Sequence, residues 1–249
     1  QWSGDRMSRT VAVFRPDDER ASDAETVLAG LGVEPLSDPM LAVEPTGATA
    51  RSDAEYTILT SKTGAELLAE TDFDPAGELV AIGTPTAEAI EAAGYGVDRL
   101  PAEFSSSGLV AELEGEVAGE RVEIARSDHG SDVLLEGLNE AGAYVHEPVL
   151  YRLVRPSGAG RSTVAAAEGD LAGACFTSSL TVEHFLEAAA DRGVREAAIE
   201  GLNDAVVGTI GAPTEATAEA HGIDVDVVPD VAEFEALARA VVDRIEPSD

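Results

Sequence analysis

IGTPTAEAIEAAGYGVDRLP, residues 82–101, recurs as IGAPTEATAEAHGIDVDVVP at residues 210–229. The two copies align without a gap, and the match continues as far as Leu109 and Leu237. Internal similarity of this kind reveals architecture before any single residue is interpreted. The repeat therefore predicts two related structural units within one chain.

Two weaker repeats indicate how the units are connected. YTILTSKT (56–63) resembles ACFTSS (174–179) as a strand, a polar turn and a helix start, and FRPD (14–17) resembles ARSD (125–128). We call these pairs the TS turns and the Arg turns, and the starts of the long repeat the IG turns. The middle of the chain has the order TS, IG, Arg, whereas the flanking parts begin with the Arg turn. The inner unit is therefore predicted to be inserted into a circularly permuted twin.

Strand-like and helix-like segments alternate through the chain, which is typical of a parallel α/β sheet. Five strands per unit predict two flavodoxin-like parallel-sheet domains. We place the outer domain at residues 1–38 plus 156–249, and the inner domain, inserted into it, at residues 46–146. The β-rich crossings at residues 39–45 and 147–155 are predicted to pair as a two-stranded β-ladder linker.

Local patterns add detail to this fold. Residues 97–100 and 225–228 are predicted to be strands, and the polar residues 157–169 a loop. A capping-box pattern at Ser22–Glu25 predicts a helix start, and a second such pattern at Thr63–Glu66 offers capping as the alternative to a ligand role for Thr63.

The chain is extremely acidic. Among its 249 residues, 48 Asp and Glu outnumber 16 Lys and Arg, which gives a net charge of −32. Such a surface repels nucleic acid and acidic membranes. In molar salt the Debye length falls to about 3 Å, so dense carboxylates are tolerated. We therefore expect a halophilic source, with an acidic partner-binding protein in ordinary cytosol as the alternative.

Composition also disfavours several kinds of site. No run of about 18 apolar residues occurs, so we expect no membrane span. The single cysteine, Cys175, excludes an internal disulfide and a thiolate zinc cluster, and its apolar surroundings predict burial. Four scattered histidines lack ligand spacing, so no metal site is expected. Neither GxxxxGKS/T nor GxGxxG follows a strand, so nucleotide binding has little support.

The turns that close the predicted strands form the candidate ligand site. Ligands bind such sheets at the carboxyl ends of the strands, and a helix N-terminus favours an anion. Gly83 and Gly211 are expected to allow a close backbone turn. N-capping is the competing interpretation of each hydroxyl. If the two domains face each other, all these turns line one cleft. The hydroxyls expected there belong to Ser61, Thr86, Ser178 and Thr214.

Three cations accompany these turns. Lys62, the only lysine, begins a helix in a TS turn, and a solvated surface position is the alternative. Arg15 and Arg126 occupy matching positions and suit bidentate binding of carboxylates. Their neighbours Asp17 and Asp128 offer local ion pairs as the competing account.

Tyr151 lies in the second crossing, EPVLYRLVRP (147–156). A phenol at the edge of a cleft can protonate a leaving group, although filling a sheet face is the simpler role. Carboxylates are too abundant to single out an acid–base pair, and no nucleophile elbow or Ser–His–Asp set is evident. The residues alone therefore leave open a non-catalytic hinge protein for a small anion, and a nucleotide-sugar transferase without an identifiable nucleotide site.

Taken in order, these segments resemble the uroporphyrinogen-III synthase family over nearly the whole chain. The family fold is two flavodoxin-like domains joined by a β-ladder, which agrees with the predicted architecture. The segments that carry the resemblance are VAVFRP (11–16), TSKTGAELL (60–68), AIGTPTAEAIEAAGYGVDRLP (81–101), CFTSSLTVEHFL (175–186), TIGAPTEATAEAHGIDVDVVP (209–229) and VVPDVAEFEALARAVV (227–242).

The resemblance implies a lyase that converts hydroxymethylbilane to uroporphyrinogen III, with loss of water and inversion of ring D, in heme, siroheme and cobalamin biosynthesis. It implies no metal and no organic cofactor. It also implies a cytoplasmic monomer, with a transient contact to the preceding hydroxymethylbilane synthase.

The resemblance assigns roles to particular positions. The family's linker tyrosine carries over to Tyr151, which assists departure of the substrate hydroxyl. Leu153 stands where a threonine often follows that tyrosine, and Glu215 replaces a commoner alanine, so local detail departs from the family. The family's cleft contacts carry over to Ser61, Thr86, Ser178 and Thr214.

Overall fold

A computed structural model describes residues 9–245 of the chain. Helices and strands alternate through this part. In chain order the elements are β1 (Thr10–Val13), α1 (Glu19–Gly30), β2 (Glu34–Ser37), β3 (Ala42–Pro45), β4 (Tyr56–Leu59), α2 (Lys62–Ala69), β5 (Glu78–Ala81), α3 (Thr84–Ala92), α4 (Ser106–Leu113), β6 (Arg121–Ser127), α5 (Asp132–Glu140), β7 (Tyr144–His146), β8 (Val149–Val154), α6 (Arg161–Glu168), β9 (Gly173–Phe176), α7 (Ser179–Asp191), α8 (Arg195–Asp204), β10 (Val206–Thr209), α9 (Ala212–Ala220) and α10 (Phe234–Ile245).

Internal contacts divide the chain into two compact units. The outer unit combines the chain up to Ala42 with the chain from Val154 onward, and the inner unit is Val43–Leu153. The segments predicted as a separate linker are thus shared between the units. The ends of the predicted outer domain, residues 1–8 and 246–249, lie outside the described residues.

The outer unit contains a four-stranded sheet in the order β10-β9-β1-β2, with every pairing parallel. Alternate residues of β1 point to opposite faces, because successive side chains of a strand alternate. Val11 and Val13 join a core against α1 and α10. Ala12 and Phe14 join a second core against α6–α9. Both faces of the sheet are therefore covered, as a parallel sheet requires.

The inner sheet has the order β3-β8-β6-β4-β5, with β7 also paired to β6. One edge of β6 pairs with β4, and the other pairs first with β7 and then with β8, where the register shifts between Arg126 and Ser127. The two crossing strands β3 and β8 pair with each other, as predicted, and β8 also joins β6. Tyr151, which pairs with Ser127, is thereby held at the carboxyl end of β6.

The sequence repeat is also a structural repeat. Asp98 accepts a hydrogen bond from the Leu79 N–H at 2.8 Å, and Asp226 accepts one from the Val207 N–H at the same distance. The predicted strands 97–100 and 225–228 are wrong as strands, because each makes only one bridge to the sheet. An aspartate side chain takes an N–H that a continuous ladder would use.

Counting those bridges, the two units share one strand order. From the bridged edge, the outer unit has β10, β9, β1 and β2, and the inner unit has β5, β4, β6 and β7. With β4 or β9 numbered as the first strand and the bridge as the third, each unit has the order 3-2-1-4-5 of a doubly wound parallel sheet. The predicted α/β class, with two related parallel sheets and permuted connections, is confirmed.

The segment 157–169 is not the predicted loop, because it contains α6. The buried carboxylate of Asp38 accepts hydrogen bonds from the Gly160 and Ser162 N–H groups, at 3.1 and 2.9 Å, and one from the Ser162 hydroxyl. An anion suits a helix N-terminus. A residue more than a hundred positions away therefore stabilises a helix that local composition does not indicate.

Two predicted capping boxes are also wrong. Helix α1 begins after Asp18, whose carboxylate accepts from the Arg20 N–H, so Ser22 lies inside the helix. Helix α2 begins at Lys62, as predicted, and its cap is Ser61 rather than Thr63. In both cases the better cap lies earlier in the chain, where the strand-to-helix turn leaves the backbone extended.

Asp38→Asn should lower the free energy of unfolding by about 2 kcal/mol, because an amide accepts fewer and weaker hydrogen bonds than the buried carboxylate. Chemical denaturation measures the change. Asp170→Asn, at the exposed end of α6, removes the same charge and is the matched control. Equal stability of the two variants would contradict the anchoring role of Asp38.

Within residues 9–245 no helix is both long and apolar enough to cross a membrane. Cys175 is buried as predicted, and burial raises the pKa of its thiol to about 12. A thiol in this state is unreactive at neutral pH.

Candidate functional site

The TS turn of the inner unit joins β4 to α2 and brings Ser61 to Tyr151. Ser61 Oγ accepts a hydrogen bond from the Gly64 N–H at 2.9 Å, so it caps α2. The same oxygen lies 3.0 Å from the Tyr151 hydroxyl oxygen. The capping interpretation of Ser61 is confirmed, and the cap also positions a phenol at the carboxyl end of the sheet.

Tyr151 is more deeply placed than an open cleft edge would require. Only 6% of the residue is exposed, and its ring packs in the core with Leu59, Leu68 and Leu150. The simpler expectation, that it fills a sheet face, is met by the ring. The hydroxyl extends beyond that core to Ser61, a half-buried residue.

The IG turns begin α3 and α9, and neither helix has a side-chain cap. The N-cap residues are Gly83 and Gly211, and a proline follows in each first turn. Uncapped first-turn N–H groups are available to an anion. Both turns therefore offer the same backbone donors, one in each unit.

The expectation that Gly83 and Gly211 permit a special backbone turn is wrong. Their φ angles of −167° and −169° are extended, which any residue adopts. A β-carbon on Gly211 would meet only Pro213, at 3.9 Å, and one on Gly83 would contact Phe104 at 3.5 Å. The chain itself does not require either glycine, and the space beside Gly211 is nearly open whereas Phe104 borders the space beside Gly83.

Thr86 and Thr214 occupy the third positions of these helices. Each is 4% exposed, and neither hydroxyl has a hydrogen-bond partner among the described residues 9–245. N-capping, the competing interpretation, does not apply to them. Two unbonded hydroxyls thus lie in matching positions beside two uncapped helix N-termini.

The outer TS turn is tied to the outer IG turn. Ser178 caps α7 in a capping box with Thr181, so the capping interpretation is confirmed here too. Ser179 donates a hydrogen bond to the Pro213 carbonyl at 3.2 Å and accepts one from Thr217 at 3.0 Å. The carboxyl ends of β9 and β10 therefore present one rigid edge.

Arg15 follows β1 at the same edge of the outer sheet, and no carboxylate of the described chain pairs with it. Its guanidinium lies over the Phe234 ring, 5.1 Å from the centroid, and its Nε atom is buried without a hydrogen-bond partner in that part of the chain. Burial, followed by the positive charge of Arg20, lowers the pKa of Arg15. The ion pair expected with Asp17 does not form, so Arg15 is a partly buried cation suited to a ligand carboxylate.

Arg126 differs from Arg15 although the sequence treats them alike. It is 4% exposed, and its guanidinium lies 3.2 Å from both carboxylate oxygens of Glu147 and donates to the Ser131 carbonyl. The expected partner Asp128 instead accepts from the Leu153 N–H and contacts His129. Arg126 therefore stabilises the inner unit through both terminal nitrogens, while its Nε is buried without a hydrogen-bond partner in the described chain.

Glu147 is a residue that sequence reasoning missed. It is one of 48 acidic residues, so nothing in the sequence distinguishes it.

Lys62 is the exposed first residue of α2, where it forms a long ion pair of 3.7 Å with Glu66. A solvent-exposed pair of this kind is weak, so Lys62 remains able to reach a ligand.

The assembled groups can bind anions and supply one proton. Each unit presents backbone donors and an unbonded threonine, the outer unit adds Arg15, and the inner unit adds the Tyr151–Ser61 pair. Within the described residues no group of three His, Cys, Asp or Glu side chains is placed to hold a metal ion.

A family model described as uroporphyrinogen-III synthase HemD matches residues 22–239 of the chain. A curated protein of Methanothermobacter thermautotrophicus, assigned provisionally as a uroporphyrinogen-III synthase, is 30% identical over 230 residues, 86% of this chain and 90% of that protein. Uroporphyrinogen-III synthase of Chlorobaculum parvum is 28% identical over 169 residues, 66% of this chain and 65% of that protein.

Two solved structures share the fold. A mutant uroporphyrinogen III synthase of Thermus thermophilus superimposes with a TM-score of 0.66 at 19% identity, covering 95% of this chain and 98% of that one. Uroporphyrinogen-III synthetase of Helicobacter pylori superimposes with a TM-score of 0.62 at 15% identity, covering 95% of this chain and 99% of that one. At these identities the likeness concerns the two-domain α/β fold.

Proposed function

This chain belongs to the uroporphyrinogen-III synthase family, and we propose on that premise that it closes hydroxymethylbilane into uroporphyrinogen III with inversion of ring D. It is an enzyme of the lyase class. The non-catalytic hinge protein considered as an alternative has no support among the comparisons.

The observation that carries the site assignment is the pair of IG turns. The substrate bears eight carboxylates, and each IG turn combines uncapped N–H groups with an unbonded hydroxyl, Thr86 or Thr214. Arg15 adds a cation whose Nε has no hydrogen-bond partner in the described chain. We propose that these groups bind carboxylates of the substrate. The same turns also contain Ser61, Lys62, Ser178, Gly83 and Gly211.

Arg126 keeps a place in the proposal as a positioning residue. Its ion pair with Glu147 joins the end of β6 to the segment that leads into β8. Tyr151 lies on β8, in register with Ser127. The pair therefore supports the strand that carries the proposed acid.

Tyr151 is proposed to protonate the departing hydroxyl of ring A. Ser61 Oγ already accepts the Gly64 N–H, and it can donate its own hydrogen to the Tyr151 oxygen. That arrangement leaves the phenol hydrogen free for the substrate. The cation that forms then attacks the substituted carbon of ring D, and fragmentation and reclosure of the spiro intermediate invert that ring.

Positioning supplies the rest of the reaction. Without an enzyme, hydroxymethylbilane closes to the uninverted isomer. The protein must therefore hold this flexible tetrapyrrole in one folded geometry. Fixed backbone donors suit this task because they need no rearrangement during the reaction. A reaction controlled by positioning of the substrate needs no strong pair of acid and base residues.

The net charge of −32 opposes binding of a polyanion. Screening over about 3 Å in molar salt removes most long-range repulsion and leaves short contacts in place. A halophilic source remains our proposal for the acidic surface. A cytoplasmic monomer, with a transient contact to the preceding hydroxymethylbilane synthase, is likewise proposed from the family.

The test is a coupled assay in which hydroxymethylbilane is supplied in molar salt and the isomer formed is identified by chromatography. Uroporphyrinogen III formed faster than spontaneous closure is the expected result. The uninverted isomer alone, at the spontaneous rate, would contradict the proposal.

A further inference from the structure

We propose that Phe104 contacts a pyrrole ring of the substrate beside the inner IG turn, an assignment that rests on the function proposed above. Phe104 is 59% exposed, unlike any other phenylalanine in the chain. A single exposed apolar residue is ordinary by itself, so its surroundings must carry the argument. The other five phenylalanines, all 9% exposed or less, are Phe14, Phe73, Phe176, Phe185 and Phe234.

Phe104 lies directly against the N-cap of α3. A β-carbon built on Gly83 would be 3.5 Å from Cβ, Cγ and Cδ2 of Phe104. The ring therefore borders the open space in front of the uncapped helix. A carboxylate bound by the first-turn N–H groups of α3 would bring the rest of its ring system within contact of Phe104.

The position of Phe104 is set by the backbone around it and not by burial of its ring. Ser105 caps α4 by accepting the Gly108 N–H at 2.9 Å, and the Ser105 N–H bonds the Glu103 carbonyl at 2.9 Å. A β-carbon on Gly108 would lie only 1.9 Å from that carbonyl, so the chain packs closely here. The backbone at Phe104 therefore loses little freedom when a ligand binds.

The chemistry of the two neighbours matches the substrate. Each pyrrole of hydroxymethylbilane is a flat apolar ring that carries carboxylate side chains. Aromatic rings pack against one another in stacked or edge-to-face arrangements, and helix N-terminal N–H groups bind carboxylates. Phe104 and the α3 N-terminus thus provide both kinds of contact at adjacent positions.

A structural role for Phe104 is the competing account. Phe104 precedes the N-cap Ser105, and a hydrophobic residue there often packs against the fourth helical residue, here the buried Leu109. Such a staple would change stability and leave substrate binding unaffected. The two accounts therefore differ in what a substitution alters.

Phe104→Ala should raise the KM for hydroxymethylbilane about three- to tenfold. The kcat, the product isomer and the thermal midpoint should stay unchanged, because the ring is exposed and takes no part in the phenol chemistry. Phe104→Trp should restore a KM close to that of the unmodified chain, since it keeps an aromatic face. The measurement is initial rate against substrate concentration in molar salt.

Tyr144→Ala is the matched control. Tyr144 is 70% exposed on β7, where it pairs with Arg121 at the start of β6, the opposite end of the sheet from Gly83. Its loss should leave KM unchanged. The proposal is overturned by an unchanged KM in Phe104→Ala, by an equal rise in Tyr144→Ala, or by a lower thermal midpoint with unchanged KM. If the unmodified chain forms no uroporphyrinogen III, the proposed function itself fails, which is a distinct result.

Discussion

Tyr151→Phe should lower kcat for uroporphyrinogen III formation by about tenfold or more, because a positioned acid contributes on the order of 10²–10⁴-fold to a proton transfer. Phenylalanine keeps the ring that packs with Leu59 and Leu150, so the core is preserved. Only the hydroxyl that contacts Ser61 is removed, and Ser61 keeps its bond to the Gly64 N–H.

Substrate binding and the choice of isomer should survive this change. The IG turns and Arg15 are untouched, so KM should stay close to that of the unmodified chain. The free energy of unfolding should fall by no more than about 1 kcal/mol, the usual net contribution of one hydrogen bond. Steady-state kinetics with chromatography of the product measures kcat, KM and the isomer, and chemical denaturation measures stability.

Tyr95→Phe is the control for loss of a phenol elsewhere in the inner unit. The Tyr95 hydroxyl donates to the Phe73 carbonyl at 2.7 Å, so its removal costs one hydrogen bond without touching the site. Its kcat should match that of the unmodified chain. Unaltered turnover in Tyr151→Phe would show that the phenol is not the acid.

Arg15→Met should raise KM for hydroxymethylbilane by about 30-fold or more, because it removes one partner of a partly buried charge pair. Methionine keeps an unbranched apolar stem over Phe234, where the guanidinium now lies 5.1 Å from the ring centroid. The kcat should change little, since the leaving-group chemistry belongs to Tyr151.

Stability provides an independent check on Arg15. In the free protein its Nε is buried without a partner in the described chain, and burial lowers its pKa. The cost of burying this cation exceeds the attraction of Asp18 and Asp23, so Arg15→Met should leave the unfolding free energy unchanged or higher. A structural ion pair would give the opposite sign.

Arg239→Met controls for the loss of one positive charge in the outer unit. Arg239 is exposed on α10 and pairs with Glu235 one helical turn away. Because exposed pairs of this kind contribute little, both KM and stability should stay near those of the unmodified chain. An equal rise of KM in both variants would mean that net charge, and not the position of Arg15, governs binding.

Much of the fold follows from local pattern. The IG repeat fixed the positions of β5 with α3 and of β10 with α9, because the hydrophobic strand, the glycine and the proline lie close together in sequence. Predictions of secondary structure were wrong where long-range contacts override local sequence preferences. Helix α6 depends on the distant Asp38, which accepts the Ser162 N–H. Near residues 98 and 226 the side chains of Asp98 and Asp226 accept N–H groups of β5 and β10, so no continuous strand pairing forms there.

The sequence by itself determined the two permuted units, the turns at the strand ends and, through resemblance, the family. Only the tertiary structure separated Arg15 from Arg126, because Glu147 reaches one guanidinium and no carboxylate of the described residues reaches the other. It alone placed Phe104 beside Gly83 and the Tyr151 hydroxyl beside Ser61. The physical reason is that a strand or turn reflects neighbouring residues, whereas the availability of a charge, a ring or a hydroxyl depends on what the folded chain brings next to it.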